Sequence, residues 1–91
     1  MNGRELRIAR LAAKQLERLP KARFDQITAR LQELDANQPN LDIKPLRGHA
    51  PWQRLRVGEY RIVFRRDRDG ILVAAVVPRQ ALDAAVAKLA G

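Results

Sequence analysis

From Arg54 to Arg65 the chain alternates with a period of two, and little but a β-hairpin satisfies that pattern. Successive side chains of an extended strand point to opposite faces. Leu55 and Val57 therefore share one side and Arg54 and Arg56 the other; after the tight reversal Gly58-Glu59, Tyr60, Ile62 and Phe64 alternate with Arg61, Val63 and Arg65. Asp67-Arg68-Asp69-Gly70 is a second turn, and Ile71 to Val77 is an apolar run of strand length, suited to cover on both faces. Pro78 ends that run because it has no N–H to give to a ladder.

Upstream the period is 3.6. Leu11, Ala12, Gln15, Leu16 and Leu19 fall on one side of a helix over about Leu11–Leu19, which Pro20 breaks. A second helix is expected from Lys21 to Leu34 or Asp35, with Phe24, Ile27, Leu31 and Leu34 as its apolar face. Glu5-Leu6-Arg7-Ile8 reads equally as a short strand or as the first turn of a longer helix, and periodicity does not separate the two. Asn37, Pro39, Asn40, Pro45, Gly48 and Pro51 mark an irregular connection between the helices and the hairpin. Helical spacing resumes over Gln80–Leu89, where Leu82, Val86 and Leu89 would dock on the chain's own sheet or on a partner.

With the first strand counted, the order is β-α-α-β-β-β-α, an α+β fold in which the helical hairpin covers one face of an antiparallel sheet and leaves the other available. Residues 1–91, with no repeat and no cysteine, form a single domain that must fold by burial alone. No apolar stretch approaches the roughly 18 residues of a membrane span, and the first residues lack the apolar core of a secretory signal, so a cytoplasmic location is expected.

Charge narrows the partner. The chain carries 18 Lys and Arg against 10 Asp and Glu, for a net +8. Fourteen of the cations are arginine, whose planar, multi-donor head suits phosphate. Between Lys44 and Arg79 nine basic residues face three acidic ones. If the apolar side of the hairpin meets the helices, Arg54 and Arg56 look outward, Arg61 lies within cross-strand reach, and Arg79 closes a basic groove. Such a set can hold a phosphodiester and stabilise the charge that grows on it during displacement, although arginine is a poor proton shuttle.

Other chemistries lack their residues. One histidine and no cysteine supply no zinc site; the glycines are isolated, so there is no phosphate loop; and the absence of serine removes the usual nucleophilic triad. No cofactor or metal is implied. His49 reads as a solvated loop residue, Tyr60 as core, Trp52 as a packing anchor, and Arg65, Arg66 and Arg68 as solvated charges near a hairpin tip.

Two stretches carry a family resemblance. Lys44-Pro45-Leu46-Arg47-Gly48, followed by Trp52-Gln53-Arg54-Leu55-Arg56-Val57-Gly58-Glu59-Tyr60-Arg61-Ile62-Val63-Phe64, resembles the central region of RelE/ParE toxins of type II toxin–antitoxin systems, with its K-x-L-x-G and W-R-L-R-V-G-x-Y-R segments. Ala12-x-Lys14-x-x-x-x-Arg18-Leu19-Pro20 is similar to the family's first helix and its break. The resemblance favours the strand reading of residues 5–8. It implies a small basic toxin neutralised by an acidic antitoxin that wraps it with a helix.

Two activities occur among such toxins: cleavage of mRNA on the ribosome by an mRNA interferase, which inhibits translation, and inhibition of DNA gyrase without nuclease activity. A third possibility is a degenerate member that only binds its antitoxin. For the endonuclease the matching positions are Arg54, Arg56, Arg61 and Arg79 as catalytic residues, with Lys44, Arg47, Arg54 and Arg56 binding the RNA. The sequence departs from the RelE pattern at Val77-Pro78-Arg79, where a Gly-His-Arg or Gly-Lys-Arg triplet is common, and at Ala84-Ala85-Val86, where a tyrosine often assists proton transfer.

Overall fold

A strand that is apolar on both sides needs cover above, below and along its edges, and the rest of the molecule supplies it. In the computed structural model, which describes residues 5–89, the chain runs β1 (Glu5–Ile8), α1 (Arg10–Glu17), α2 (Lys21–Asp35), β2 (Ile43–Pro45), β3 (Gln53–Val57), β4 (Tyr60–Asp67), β5 (Gly70–Pro78), a 3-10 turn (Arg79–Ala81) and α3 (Leu82–Ala87). The five strands form one sheet in the order β1-β5-β4-β3-β2. Residues 5–8 are a strand, and they pair parallel to β5, so the sheet is mixed and not wholly antiparallel. The connection expected to be irregular also holds a strand: Ile43, Lys44 and Pro45 pair with Leu55, Arg54 and Gln53. Pro45 is tolerated there because β2 is an edge strand.

On one face α1 and α2 bury Ala12, Leu16, Ile27, Leu31 and Leu34 against Leu55, Val57, Ile62, Phe64, Ile71, Val73 and Val76. Each fully buried large side chain contributes about 1.5–3 kcal/mol. Two residues assigned to helical apolar faces are not in this core: Leu11 is 51% and Phe24 38% exposed. Helix α1 is turned so that Ala12 and Leu16 meet the sheet and the Gln15 side-chain oxygen accepts the Val76 N–H at 2.7 Å. Beyond Val73, β5 has no neighbouring strand on that side among the described residues, and Gln15 takes the place of a ladder partner.

The second face is covered only in part. Val63, Ala75 and Val77 form a smaller core with Trp52, Leu82, Ala85 and Leu89, so α3 docks on the chain's own sheet. A register shift opposite Val63 and Phe64 makes this possible: Val63 pairs with Ala75 and Phe64 with Val73, leaving Ala74 as the extra residue of a bulge. Without it, strict alternation would put Val73 and Ala75 on one face. With it, Val73 and Val76 enter the helix-side core while Ala75 and Val77 turn toward α3.

Gly70 opens β5 with φ +125°, where a Cβ would lie 2.1 Å from the Glu5 carbonyl oxygen. That oxygen is backbone of the paired β1, so the strand itself would have to move. Gly70→Ala is expected to destabilise the protein by about 2–3 kcal/mol, measured as a fall in the denaturant midpoint with β1 amides losing protection from hydrogen exchange first.

Candidate functional site

The half of the second face that α3 leaves open is basic. In register, Lys44 lies opposite Arg54 and Arg54 opposite Val63; in the next row Arg56 lies opposite Arg61 and Arg61 opposite Val77. Because Val63 and Val77 belong to the α3-side core, their cross-strand partners Arg54 and Arg61 share that face. Like charges directly across a strand pair destabilise a sheet, so the Arg56–Arg61 pairing costs folding energy that an anionic ligand would return.

The four arginines are held differently. Arg61 Nη1 donates to the carbonyl oxygens of Gly58 and Tyr60, each at 3.0 Å, which folds the guanidinium back over the β3–β4 turn. Among the described residues it has no ion pair. Burial, followed by the charges of Arg56, Arg54 and Arg79, pulls its pKa below the ordinary arginine value, yet it stays charged at neutral pH. Arg54 Nη1 donates to both the carbonyl oxygen and Oδ1 of Asp42, each at 3.0 Å, and its side chain is only 15% exposed. Arg56 is 54% exposed, with Nη1 3.8 Å from Asp42 Oδ2. Arg79 starts the 3-10 turn, exposed, its backbone N–H donating to the Glu59 carbonyl at 2.8 Å.

Arg54, Arg56, Arg61 and Arg79 are thus brought together around Arg61, and Lys44 extends the row to the sheet edge. Arg47 falls outside it, in an open hollow of the β2–β3 connection with Leu46, Pro51 and Trp52. Trp52 packs in the smaller core, and Arg65, expected to be solvated, lies with Cζ 5.2 Å from the centre of its ring. Tyr60 packs against the helix-side core, away from the row. Asp42 was missed by sequence reasoning. It stands in a stretch of turn residues, and only the pairing of β2 with β3 brings it against Arg54 and Arg56; its place two residues before Lys44, on an alternating pattern, was the available signal.

The fold built from this sheet, with two helices on one face and a third on the other, is shared with solved structures of type II toxins. The chain is similar to the toxin–antitoxin complex RelB–RelE of Methanococcus jannaschii, with 27% identity, TM-score 0.66, and coverage of 86% of this chain and 95% of that one. It is also similar to the complex RelBE2 of Mycobacterium tuberculosis, with 24% identity, TM-score 0.71, and coverage of 84% and 98%. The isolated RelE toxin of E. coli shares 21% identity at TM-score 0.68, covering 91% of this chain and 95% of its own. A family model described as the ParE toxin of type II toxin–antitoxin system, parDE, matches residues 6–82. The chain therefore belongs to this family of type II toxins. No curated protein sequence matches it. Among the described residues no helix is long and apolar enough to cross a membrane.

Two carboxylates tie the sheet together, Asp42 beside the basic row and Asp67 at the far end of β4 next to the opposite edge. The Arg54 hydrogen bond, with the charges of Arg54, Arg56 and Lys44 behind it, holds the Asp42 carboxyl below the usual aspartate range. The Arg7 hydrogen bond does the same for Asp67, tying β1 to the end of β4 across β5 at 2.8 Å. A carboxyl whose folded pKa is depressed adds stability above its unfolded pKa and loses it as pH falls through the folded value. Stability is therefore expected to drop as the pH is lowered below about 4. Denaturant midpoints measured down the acid range should show Asp67→Asn less stable than the wild type at pH 7 and less sensitive to acid.

Proposed function

We propose that this toxin is a ribosome-dependent mRNA endonuclease, an mRNA interferase that inhibits translation. Arg54, Arg56, Arg61 and Arg79 bind and polarise the scissile phosphate, and Lys44 and Arg47 steer the RNA backbone. In this reading the 2′-oxygen of the preceding nucleotide bonds to phosphorus and the P–O5′ bond breaks. The 2′-hydroxyl proton leaves by way of water and the 5′-oxygen takes one up. The arginines stabilise the added charge on the phosphoryl oxygens, for which fixed donors in a preformed site are effective. Arg61 would sit closest to that charge and Arg54 would hold the row in place. The observation that carries the reading is the register that sets Arg56 opposite Arg61 with Arg54 in the adjoining row, and Arg79 held beside the same turn by its N–H bond to the Glu59 carbonyl, while among the described residues Arg61 makes no salt bridge.

The same surface charge fits an acidic antitoxin as partner, in line with relatives that are toxin–antitoxin complexes. A cytoplasmic site of action follows from a target on the ribosome.

A second reading, inhibition of DNA gyrase without cleavage, is favoured by the scarcity of proton-transfer groups. Tyr60 is partly buried against the helix-side core, and His49 lies on the β2–β3 connection. Expression of the toxin with mapping of mRNA 5′ ends separates the two. Codon-phased cuts are expected, while intact mRNA with a DNA-damage response would establish the second reading. Arg61→Ala combined with Arg79→Ala is expected to lower the cleavage rate by at least 10²–10³-fold, roughly the loss for one oxyanion donor, and to abolish growth inhibition. Unchanged toxicity would remove these residues from the site.

A further inference from the structure

Asp42 sits immediately before β2, and its backbone and side chain meet the arginine row separately. Its carbonyl oxygen accepts the Arg56 N–H at 2.9 Å and Arg54 Nη1 at 3.0 Å. Its carboxylate accepts the same Arg54 nitrogen through Oδ1 at 3.0 Å, while Oδ2 lies 3.8 Å from Arg56 Nη1, too far for a hydrogen bond. Arg54 is thus secured twice and largely covered. Arg56 is attracted without being fixed, and it faces Arg61 across the strand pair.

A carboxylate oxygen and a phosphate oxygen are the same kind of partner for a guanidinium. Asp42 therefore supplies from within the chain what an anionic ligand would supply from outside. It offsets repulsion among Lys44, Arg54, Arg56 and Arg61 while the face is empty, and the exposure of both Asp42 and Arg56 leaves their contact open to exchange. A proton-accepting role suits it poorly, since Arg54 holds the carboxyl in its ionised, weakly basic form.

We propose that Asp42 is a built-in counter-anion of the arginine row: its carboxylate steadies Arg54 and shares Arg56, and a phosphodiester of single-stranded RNA displaces it from Arg56. This rests on reading the row as a phosphate site. Asp42 is a positioning residue; it keeps the row arranged and reduces the charge that the incoming strand meets.

Asp42→Asn isolates the charge, because the side-chain amide oxygen and the untouched carbonyl still accept from Arg54. The test is binding of a short fluorescein-labelled single-stranded RNA to the full chain, followed by anisotropy over a series of salt concentrations. Asp42→Asn is expected to bind about fivefold more tightly at low salt, the effect of one exposed unit charge a few ångströms from a phosphate. Its slope of log K against log salt should steepen by about 0.7, one further released counterion on a single strand. Asp42→Glu should keep the wild-type slope. Asp25→Asn, which removes a carboxylate paired with Lys21 on α2, should change affinity less and leave the slope alone. Equal or weaker binding by Asp42→Asn, where the wild type binds and Arg61→Ala does not, would overturn the role of Asp42 alone. If no variant binds in an Arg61-dependent way, the phosphate-site reading falls together with it.

Discussion

Everything in this molecule is arranged around satisfying β5. A nine-residue strand with apolar side chains on both faces is stable only if both faces are dry and both edges are paired. Strand β4 takes one edge along its whole length, while β1 takes the first part of the other and Gln15 of α1 takes over where β1 ends. The helical hairpin dries one face, and α3 returns to dry the second. The bulge at Ala74 divides the side chains between these two cores, so a short chain without disulfides obtains two layers of packing from one strand.

The same arrangement locates the charge. Helix α3 is short, and it covers the second face only over β5 and the adjoining part of β4. What remains is the β3–β2 side, where alternation had already turned Arg54 and Arg56 outward and the pairing of β2 adds Lys44. Arginines opposed across strands are unfavourable in an empty sheet, and the protein moderates the cost with two devices. Backbone carbonyls of the turn accept from Arg61, and Asp42 accepts from Arg54. Neither device fixes Arg56, which the Asp42 carboxylate only attracts from 3.8 Å, or Arg79, and both remain exposed beside Arg61. A sheet half so prepared is suited to a polyanion.

Much of this was legible from residue order. The β3–β4 hairpin, the reversal at Gly58-Glu59, the break at Pro20 and the extent of α2 all rest on local rules, and local rules survive into the folded state. Arg54, Arg56 and Arg61 were recognisable as a row because the pleat fixes the direction of each side chain. Other features depended on contacts distant in sequence. Strand β2 is three residues long and carries a proline, so it exists only because β3 offers it a ladder. Leu11 and Phe24 follow the helical period, yet α1 and α2 present neighbouring residues to the sheet. Arg65 looked like a tip charge until the β2–β3 connection brought Trp52 beneath it.

By itself, the sequence determined which residues can face the same way: periods of two and of 3.6, interrupted by Gly, Pro and Asn, depend on backbone geometry within a few bonds. Only the tertiary structure decided which of those faces is covered and which stays open. That choice turns on the extra residue in β5, on the docking of α3 and on the edge pairing that sets Asp42 against Arg54. Each of these is a long-range contact whose energy exists only once both partners have been brought together, so no local pattern records it.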